Sequence, residues 1–521
     1  MQQVFDLSDE ETVDQLAFNM QWHFALDITA ASDASAYFCP KTLYNMRRIV
    51  VENELDGVLF EEVTGKLADV FGVDTRKQRL DSVHIRSDMK KLGRLGIMVR
   101  TIHKYLVNLK RQHPELLDGL DSRFAELYLT KKAVGCFSLV KPSEASKKLL
   151  DAATDLFELV GLFADNAAVS GMSSYKLMAR VLDEQCEVKP GEEGPAQVTV
   201  KPPKKIPSDS LQNPSDPDAG YDGHKGQGYQ VQVMETYVEA DEETAGDADD
   251  RQMHLNLITH VDVEPANESD ANALLPALES TAKRGLAPEV VLADSLYGSD
   301  ENVEKAKEMG VEVVAPTMGK SIKGMDLSDF EFSDEGDLLS CPAGHAPHKV
   351  KRNRRRRSVG FDAKQCRSCP RLKDCPVKPG RRYYLRYSDK DLRLARRRAN
   401  EKSPEFREIY RYRSGVEATM SEYDRRTGVK RLRVRGSPAV RVSAKLKALG
   451  INILRAASVR KALKSAGRTP EWSESGLEIT FCREIRRCLT FWGQFLRICH
   501  RKAGVFLSFA YSGEFAACQV A

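Results

Sequence analysis

Between residues 228 and 316 the chain alternates strand and helix signals in an order that few folds accept. GYQVQVMETYV and MHLNLITHVDV each alternate apolar and polar residues, as two antiparallel strands do. ANALLPALESTAKRG has helical spacing and stops at Gly285. Val290, Val291 and Leu292 form a short apolar run, the mark of a strand buried on both faces, and Asp294 lies just past its C-terminal end. Ser299 or Asp300 can cap the helix that follows to Met309, and VEVVAP reads as a further strand. This order fits an α/β fold.

A second feature carries chemistry. Tyr410, Arg413 and Glu417 fall at i, i+3 and i+7, which on a helix is one face. That face presents a phenol, a guanidinium and a carboxylate, with basic residues after it. Such a set suits metal-assisted chemistry on a phosphodiester, the carboxylate holding a cation and the arginine holding phosphate oxygens. One helix is not a site, so partner carboxylates are needed. Asp294 is one candidate. The other is Asp81, in the alternating run Leu80-Asp81-Ser82-Val83-His84-Ile85.

Together these residues resemble the DDE transposases of bacterial insertion sequences, in the branch with a Tyr-x2-Arg-x3-Glu signature. In that family a Lys follows the Glu after six residues; here the place is taken by Asp424, with Arg425 and Arg426 beside it. The family's first Asp opens an Asp-Ser-Thr run at the end of the first strand, and Asp81-Ser82-Val83 matches except at Val83. Its second Asp sits in Ala-Asp-x-x-Tyr, matched by Ala293-Asp294-Ser295-Leu296-Tyr297. The resemblance spans the chain to about Ser458. It implies an RNase H-like catalytic domain in which Asp81, Asp294 and Glu417 hold two Mg²⁺ (or Mn²⁺) ions. By the same implication Arg413 neutralises phosphate charge and Tyr410 orients or stacks nearby. The substrates would be the terminal inverted repeats of the element and target DNA, joined in a synaptic complex by a homodimer. Two other classes fit the residues: a metal-dependent nuclease that cuts without joining, and a decayed copy that binds DNA without chemistry.

Each residue also has an ordinary explanation. An Asp at a strand-to-helix junction is commonly a cap or turn residue, and an isolated Glu417 would be a solvated helix residue. Asp216 and Asp218, in NPSDPDAGYDGHKG, rival Asp81 as first ligand, but their setting reads better as a Pro/Gly/Asp turn before a strand. What favours the functional set is that all three carboxylates stand in the family's order and local contexts.

Composition adds limits. Hydrophobic residues are 41% of 521, enough to build cores and to exclude wholesale disorder. The net charge is only +4, so its distribution matters more. Acidic residues gather in Glu239–Asp250 and basic ones from Lys349 to Arg460, densest at Arg354–Arg357 and in RRTGVKRLRVRG. A polyanion is drawn to that half. The N-terminus, MQQVFDLSDEE, has no secretory pattern. The apolar stretch LTFWGQFLRICHRKAGVFLSFAY is broken by Arg497, His500, Arg501 and Lys502, so no membrane span is expected. The expectation is a cytoplasmic protein, nucleoid-associated when bound to DNA, with its 11 cysteines reduced.

Four of those cysteines cluster: Cys341, Cys366, Cys369 and Cys375. The Cys-x-x-Cys core with flanking thiols resembles a structural zinc knuckle, and His345 or His348 could replace one thiol. Such ligation would close a loop-rich segment with no core of its own. Cys39, Cys136 and Cys488 are scattered and read as packing residues. The organisation expected is a helical N-terminal DNA-binding domain over 1–73, with 74–90 supplying the first strand of the catalytic domain. A helical insertion over 91–188 and a Pro/Gly/Lys linker over 189–228 follow. The catalytic core occupies 229–330, the Cys-rich and basic insertion 331–400, and the Glu helix with a closing helix 401–460. Residues 461–521 form a tail of no assigned role.

Overall fold

Alternation over Lys77–Ile85 makes β1, and every main strand is arranged around it. β2 (Gly226–Thr236) and β3 (Ile258–Pro265) follow in antiparallel succession; β4 (Val290–Leu292) and β5 (Glu312–Val314) run parallel to β1. The order across the sheet is β3-β2-β1-β4-β5, with Gly220–Asp222 pairing onto the start of β2. In this computed structural model the described residues are 1–26, 28, 38–130, 141–189, 197–239, 253–319, 324–353, 356–380 and 383–467. The acidic run 240–250, Arg354, Arg355, Cys136, Cys488 and the tail from 468 lie outside them.

The N-terminal helices include α1 (Asp9–Phe18), α2 (Pro40–Glu52) and α3 (Asp56–Phe71). They do not stand apart from the rest as the expected division at residue 73 implied. Phe60, Val63 and Leu67 of α3 lie in one core with Val83 and Ile85 of β1 and Val231 and Val233 of β2. Asp56 caps the arrangement by accepting hydrogen bonds from Arg441 and Lys445, each at 3.0 Å. Cys39, expected as a packing residue, is exposed at the N-cap of α2.

Between β1 and β2 lie α4 (Arg94–Gln112), α5 (Pro142–Leu162) and α6 (Ser173–Gln185), which bury Ile102, Tyr105, Leu156 and Met178 in a core of their own. These helices fall within residues 91–188. In the stretch read as a linker, 189–228, the described residues 197–228 are largely structured. Gln197–Val200 pairs with Cys186–Lys189, and Ser210, Gln212 and Asn213 are buried. Its Pro/Gly/Asp composition looks like loop because its polar groups find partners far away in sequence. Asp216 is fully buried and accepts from the Tyr229 hydroxyl at 2.5 Å and from Gly436 N at 3.1 Å; Asp218 accepts from Ser437 N at 2.9 Å. Asp216 thus ties the segment to Tyr229 of β2 and to Gly436, and Asp218 ties it to Ser437.

α7 (Leu274–Ala282) and α8 (Asp300–Glu308) cover one face of the sheet through Leu80, Met234, Val291 and Tyr297. Ser299 is the N-cap of α8, accepting from Asn302 N at 3.2 Å. Next, β6 (Lys349–Arg352), β7 (Arg357–Phe361) and β8 (Tyr383–Tyr387) form a separate antiparallel sheet. It encloses a small core of Phe330, Val359, Phe361, Leu385 and Tyr387, against which Cys341, Cys366 and Cys375 pack. The Cys-rich segment therefore does have a core, contrary to expectation, because alternating residues of β7 and β8 pack with Phe330, Leu338 and Val377.

The C-terminal part of the described chain holds α9 (Asp389–Asn400), α10 (Pro404–Tyr410), α11 (Gly415–Thr427) and α12 (Ser437–Ser465). α11 and α12 cover the second face of the main sheet with Val416, Met420, Tyr423, Val440 and Ile451. The single helix expected across Tyr410, Arg413 and Glu417 is instead two helices joined by a 3₁₀ turn at Arg411–Ser414. Arg413, in that turn, and Glu417, in α11, pair as i,i+4 neighbours.

Candidate active site

β1 and β4 pair only over Lys77–Arg79 and Val290–Leu292. Each strand then continues two residues to an aspartate, Asp81 on β1 and Asp294 after β4. The two carboxylates therefore sit at the place where the parallel strands part. Asp81 is in the middle of β1, not at its end, because β1 runs on to Ile85 paired with β2 alone. Ala293 and Tyr297 of the same motif are fully buried, and the Tyr297 hydroxyl donates to Gln232 Oε1 at 2.6 Å. They are core residues that fix the turn carrying Asp294.

Asp81 accepts from Ser82 N at 2.9 Å and from Arg413 at 2.8 Å. Burial pushes its carboxyl above the usual range; Arg413 opposes this, and Asp294 and Asp270 add to it. Arg413 also donates to Glu417 Oε1 at 3.0 Å. One guanidinium thus joins two carboxylates 332 and 4 residues away. Its Nε is buried and has no hydrogen-bond partner. The Glu417 side chain is 69% exposed, the Arg413 side chain 19%. Tyr410 stacks on Phe406 with ring centroids 5.3 Å apart. Burial raises its phenol; Arg413 opposes this, while Asp294 and Asp81 add to it, so Tyr410 shares the field of both aspartates. Asp294 accepts from Leu296 N at 2.8 Å, the turn bond of its ordinary explanation.

Asp270 escaped the sequence reading. It is buried at the start of a short 3₁₀ turn after β3, accepts from Gln232 at 2.9 Å and adds negative charge beside Asp81. No motif marks it; only the fold brings it there.

The basic residues after Glu417 are exposed but many are paired: Arg426 with Glu422, Lys430 with Asp424, Arg433 with Asp6 and Arg435 with Asp88. Asp424, standing where the resembled family has Lys, holds Lys430 at 3.5 Å.

The four clustered thiols are electrostatic neighbours. Burial pushes Cys366 up to about 11, and Cys375, Cys341 and Cys369 all add to the shift. Among the described residues, no three His, Cys, Asp or Glu side chains stand close enough, as they are placed, to hold one ion. In the carboxylate site the Arg413 guanidinium supplies the positive charge between Asp81 and Glu417. By donor type alone, the carboxylate oxygens of Asp81, Asp294 and Glu417 would suit Mg²⁺ or Mn²⁺, and the four thiols Zn²⁺.

Fold and site together define a mixed α/β protein whose acidic and basic side chains gather where the parallel strands diverge. A family model described as a transposase DDE domain matches residues 340–457, and the match supports a DDE transposase. It takes in the four clustered cysteines, Tyr410, Arg413 and Glu417, while Asp81 and Asp294 lie before it. Transposases of this kind are DNA-processing enzymes that generally use divalent metal ions. No curated protein matches the chain. Among the described residues no helix is long and apolar enough to cross a membrane.

Proposed function

We propose that the chain cleaves DNA at the ends of an insertion sequence and transfers the freed strand to target DNA, using Asp81, Asp294 and Glu417 as ligands for two divalent cations. The observation that carries this reading is the double ion pair of Arg413, which brings Asp81 of β1 and Glu417 of α11 to one guanidinium. The sheet order β3-β2-β1-β4-β5 supports an RNase H-like fold, in which strand-end and helix carboxylates converge.

When bound, two Mg²⁺ ions supply an activated water and charge stabilisation at the attacking and leaving oxygens. The protein's own groups do the rest. Asp81 and Asp294 are held by backbone N–H donors, which fixes their orientation. Arg413, with an unused buried N–H, can bind a phosphate oxygen once its carboxylates are engaged elsewhere. Tyr410, braced by Phe406, lies in the field of Asp81, Asp294 and Arg413. Positioning and charge neutralisation are what such a displacement needs. The N-terminal helices and the basic segments would bind the terminal repeats, and a homodimer would bring two ends together.

A strand-transfer assay on the terminal inverted repeats with Mg²⁺ tests the proposal. Cleaved and joined products are expected. Cleavage without joining would favour the nuclease, and retarded DNA with neither product the decayed copy.

The Cys341, Cys366, Cys369 and Cys375 set is proposed to hold structural Zn²⁺ at Zn–S distances of about 2.3 Å. Purified protein should contain stoichiometric zinc, and Cys369→Ser should lose it and expose 331–400 to protease. Because this segment has its own core, only partial loosening is expected. A zinc-free preparation, with Cys369→Ser as protease-resistant as the parent, would exclude the site.

A further inference from the structure

Behind the carboxylates lies a buried charge network that the chemistry above does not use. Arg79 precedes Asp81 by two residues, so both side chains leave the same face of β1. Its cross-strand partner is Glu235 of β2, fully buried, and Arg79 Nε donates to Glu235 Oε1 at 2.7 Å. The same guanidinium donates to the carbonyl oxygen of Tyr412 at 2.8 Å, inside the 3₁₀ turn that carries Arg413. The other Glu235 oxygen accepts from the Thr419 hydroxyl of α11 at 2.6 Å and from Arg455 of α12 at 3.0 Å. Arg455 returns to α11 by donating to Glu422 at 2.9 Å and to Thr419 at 2.7 Å.

Gly415, the first residue of α11, leaves the room this network needs. A Cβ there would lie 1.9 Å from Arg79 Nη1 and 2.6 Å from its Cζ. Its φ is −64°, ordinary for any residue, so glycine is required for space and not for backbone freedom. Glu417 is mostly exposed and cannot fix its own place. Its position follows from what holds α11: the core packing of Val416 and Met420, and the polar contacts on either side of it at Tyr412 and Thr419.

The geometry points to Arg79, Glu235 and Arg455, with the space at Gly415, as positioning residues that set the place of Glu417 and Arg413 relative to Asp81. This rests on the reading of Asp81, Asp294 and Glu417 as metal ligands. Charge-assisted hydrogen bonds in a buried setting are strong, and a buried carboxylate with two arginines tolerates little displacement. A helix so anchored presents Glu417 at one depth over the strand fork.

The test is Mn²⁺ binding by the DNA-free full chain, read from the free-ion paramagnetic resonance signal. Gly415→Ala, which collides with Arg79, should weaken binding roughly tenfold, as loss of supporting contacts around metal ligands does. DNA affinity at fixed salt should stay near the parent value. Thr419→Val removes one hydroxyl without a clash and should give a smaller loss in the same direction; it decides the matter if Gly415→Ala fails to fold. A merely structural role would lower the melting temperature and leave the Mn²⁺ affinity of the folded protein unmoved, and that result overturns the inference. Asp294→Asn is the control. If the parent binds Mn²⁺ and Asp294→Asn does not, yet both network variants bind like the parent, positioning alone fails. If the parent binds none, the reading of the carboxylates fails with it.

Discussion

Glu417→Gln should abolish Mg²⁺-dependent cleavage while DNA binding is kept or tightened. The exchange preserves shape and removes one charge. Glu417 is exposed and its contact is an i,i+4 pair with Arg413, so folding stability should change by no more than about 1 kcal/mol. The cost falls on the chemical step, because a ligand's charge is missing where negative charge develops. A loss of at least about 10³-fold in cleavage rate, about 4 kcal/mol in the barrier, is expected. Binding moves the other way, since a carboxylate that repels phosphate is gone and Arg413 is released from it. Cleavage at the parent rate by Glu417→Gln would end the assignment of this residue as a ligand. A matching loss of binding and cleavage would mean that the exchange damaged the fold instead.

How much of this was legible in the sequence depended on how local each signal was. The strands of β2 and β3 were visible as alternation, and β4 as Val290-Val291-Leu292, because side-chain period and burial are properties of a few adjacent residues. Ser299 was visible as a cap for the same reason. The 3₁₀ turn at Arg411–Ser414 was not, since it goes with a hydrogen bond from Arg79, more than three hundred residues earlier. Residues 189–228 looked like a linker because Asp216 and Asp218 are satisfied by Tyr229, Gly436 and Ser437, which composition cannot reveal. The N-terminal helices looked separable because the apolar face of α3 is the same whether it packs on its own module or, as here, on β1 and β2.

The candidate site divides in the same way. Asp81, Asp294, Arg413 and Glu417 were singled out by their motifs, and Arg413 does join two of the carboxylates. Asp270 and the Arg79–Glu235 pair carry no motif. They become significant only once β1 and β2 are in register.

Arg413→Ala separates the two partners that this arginine serves. It should weaken DNA binding, with a salt dependence shallower by about one unit, since one phosphate contact and its released counterion are lost. It should also slow cleavage. Its effect on the protein without DNA is the more discriminating one. Asp81 is mostly buried, with Asp294 and Asp270 nearby, and Arg413 is the cation that offsets them. Removing it leaves a carboxylate without its charge partner, which costs on the order of 1–3 kcal/mol at a partly exposed site. The variant should melt earlier than the parent in chelator. Divalent cations no longer compete with a guanidinium for Asp81 and Glu417, so added Mg²⁺ should recover the lost stability by mass action. The parent, already neutralised by Arg413, should respond less. Thermal melts of both proteins across a Mg²⁺ series decide it. If Arg413→Ala melts early and Mg²⁺ restores nothing, the arginine is a packing residue and the acidic fork has no claim on a cation.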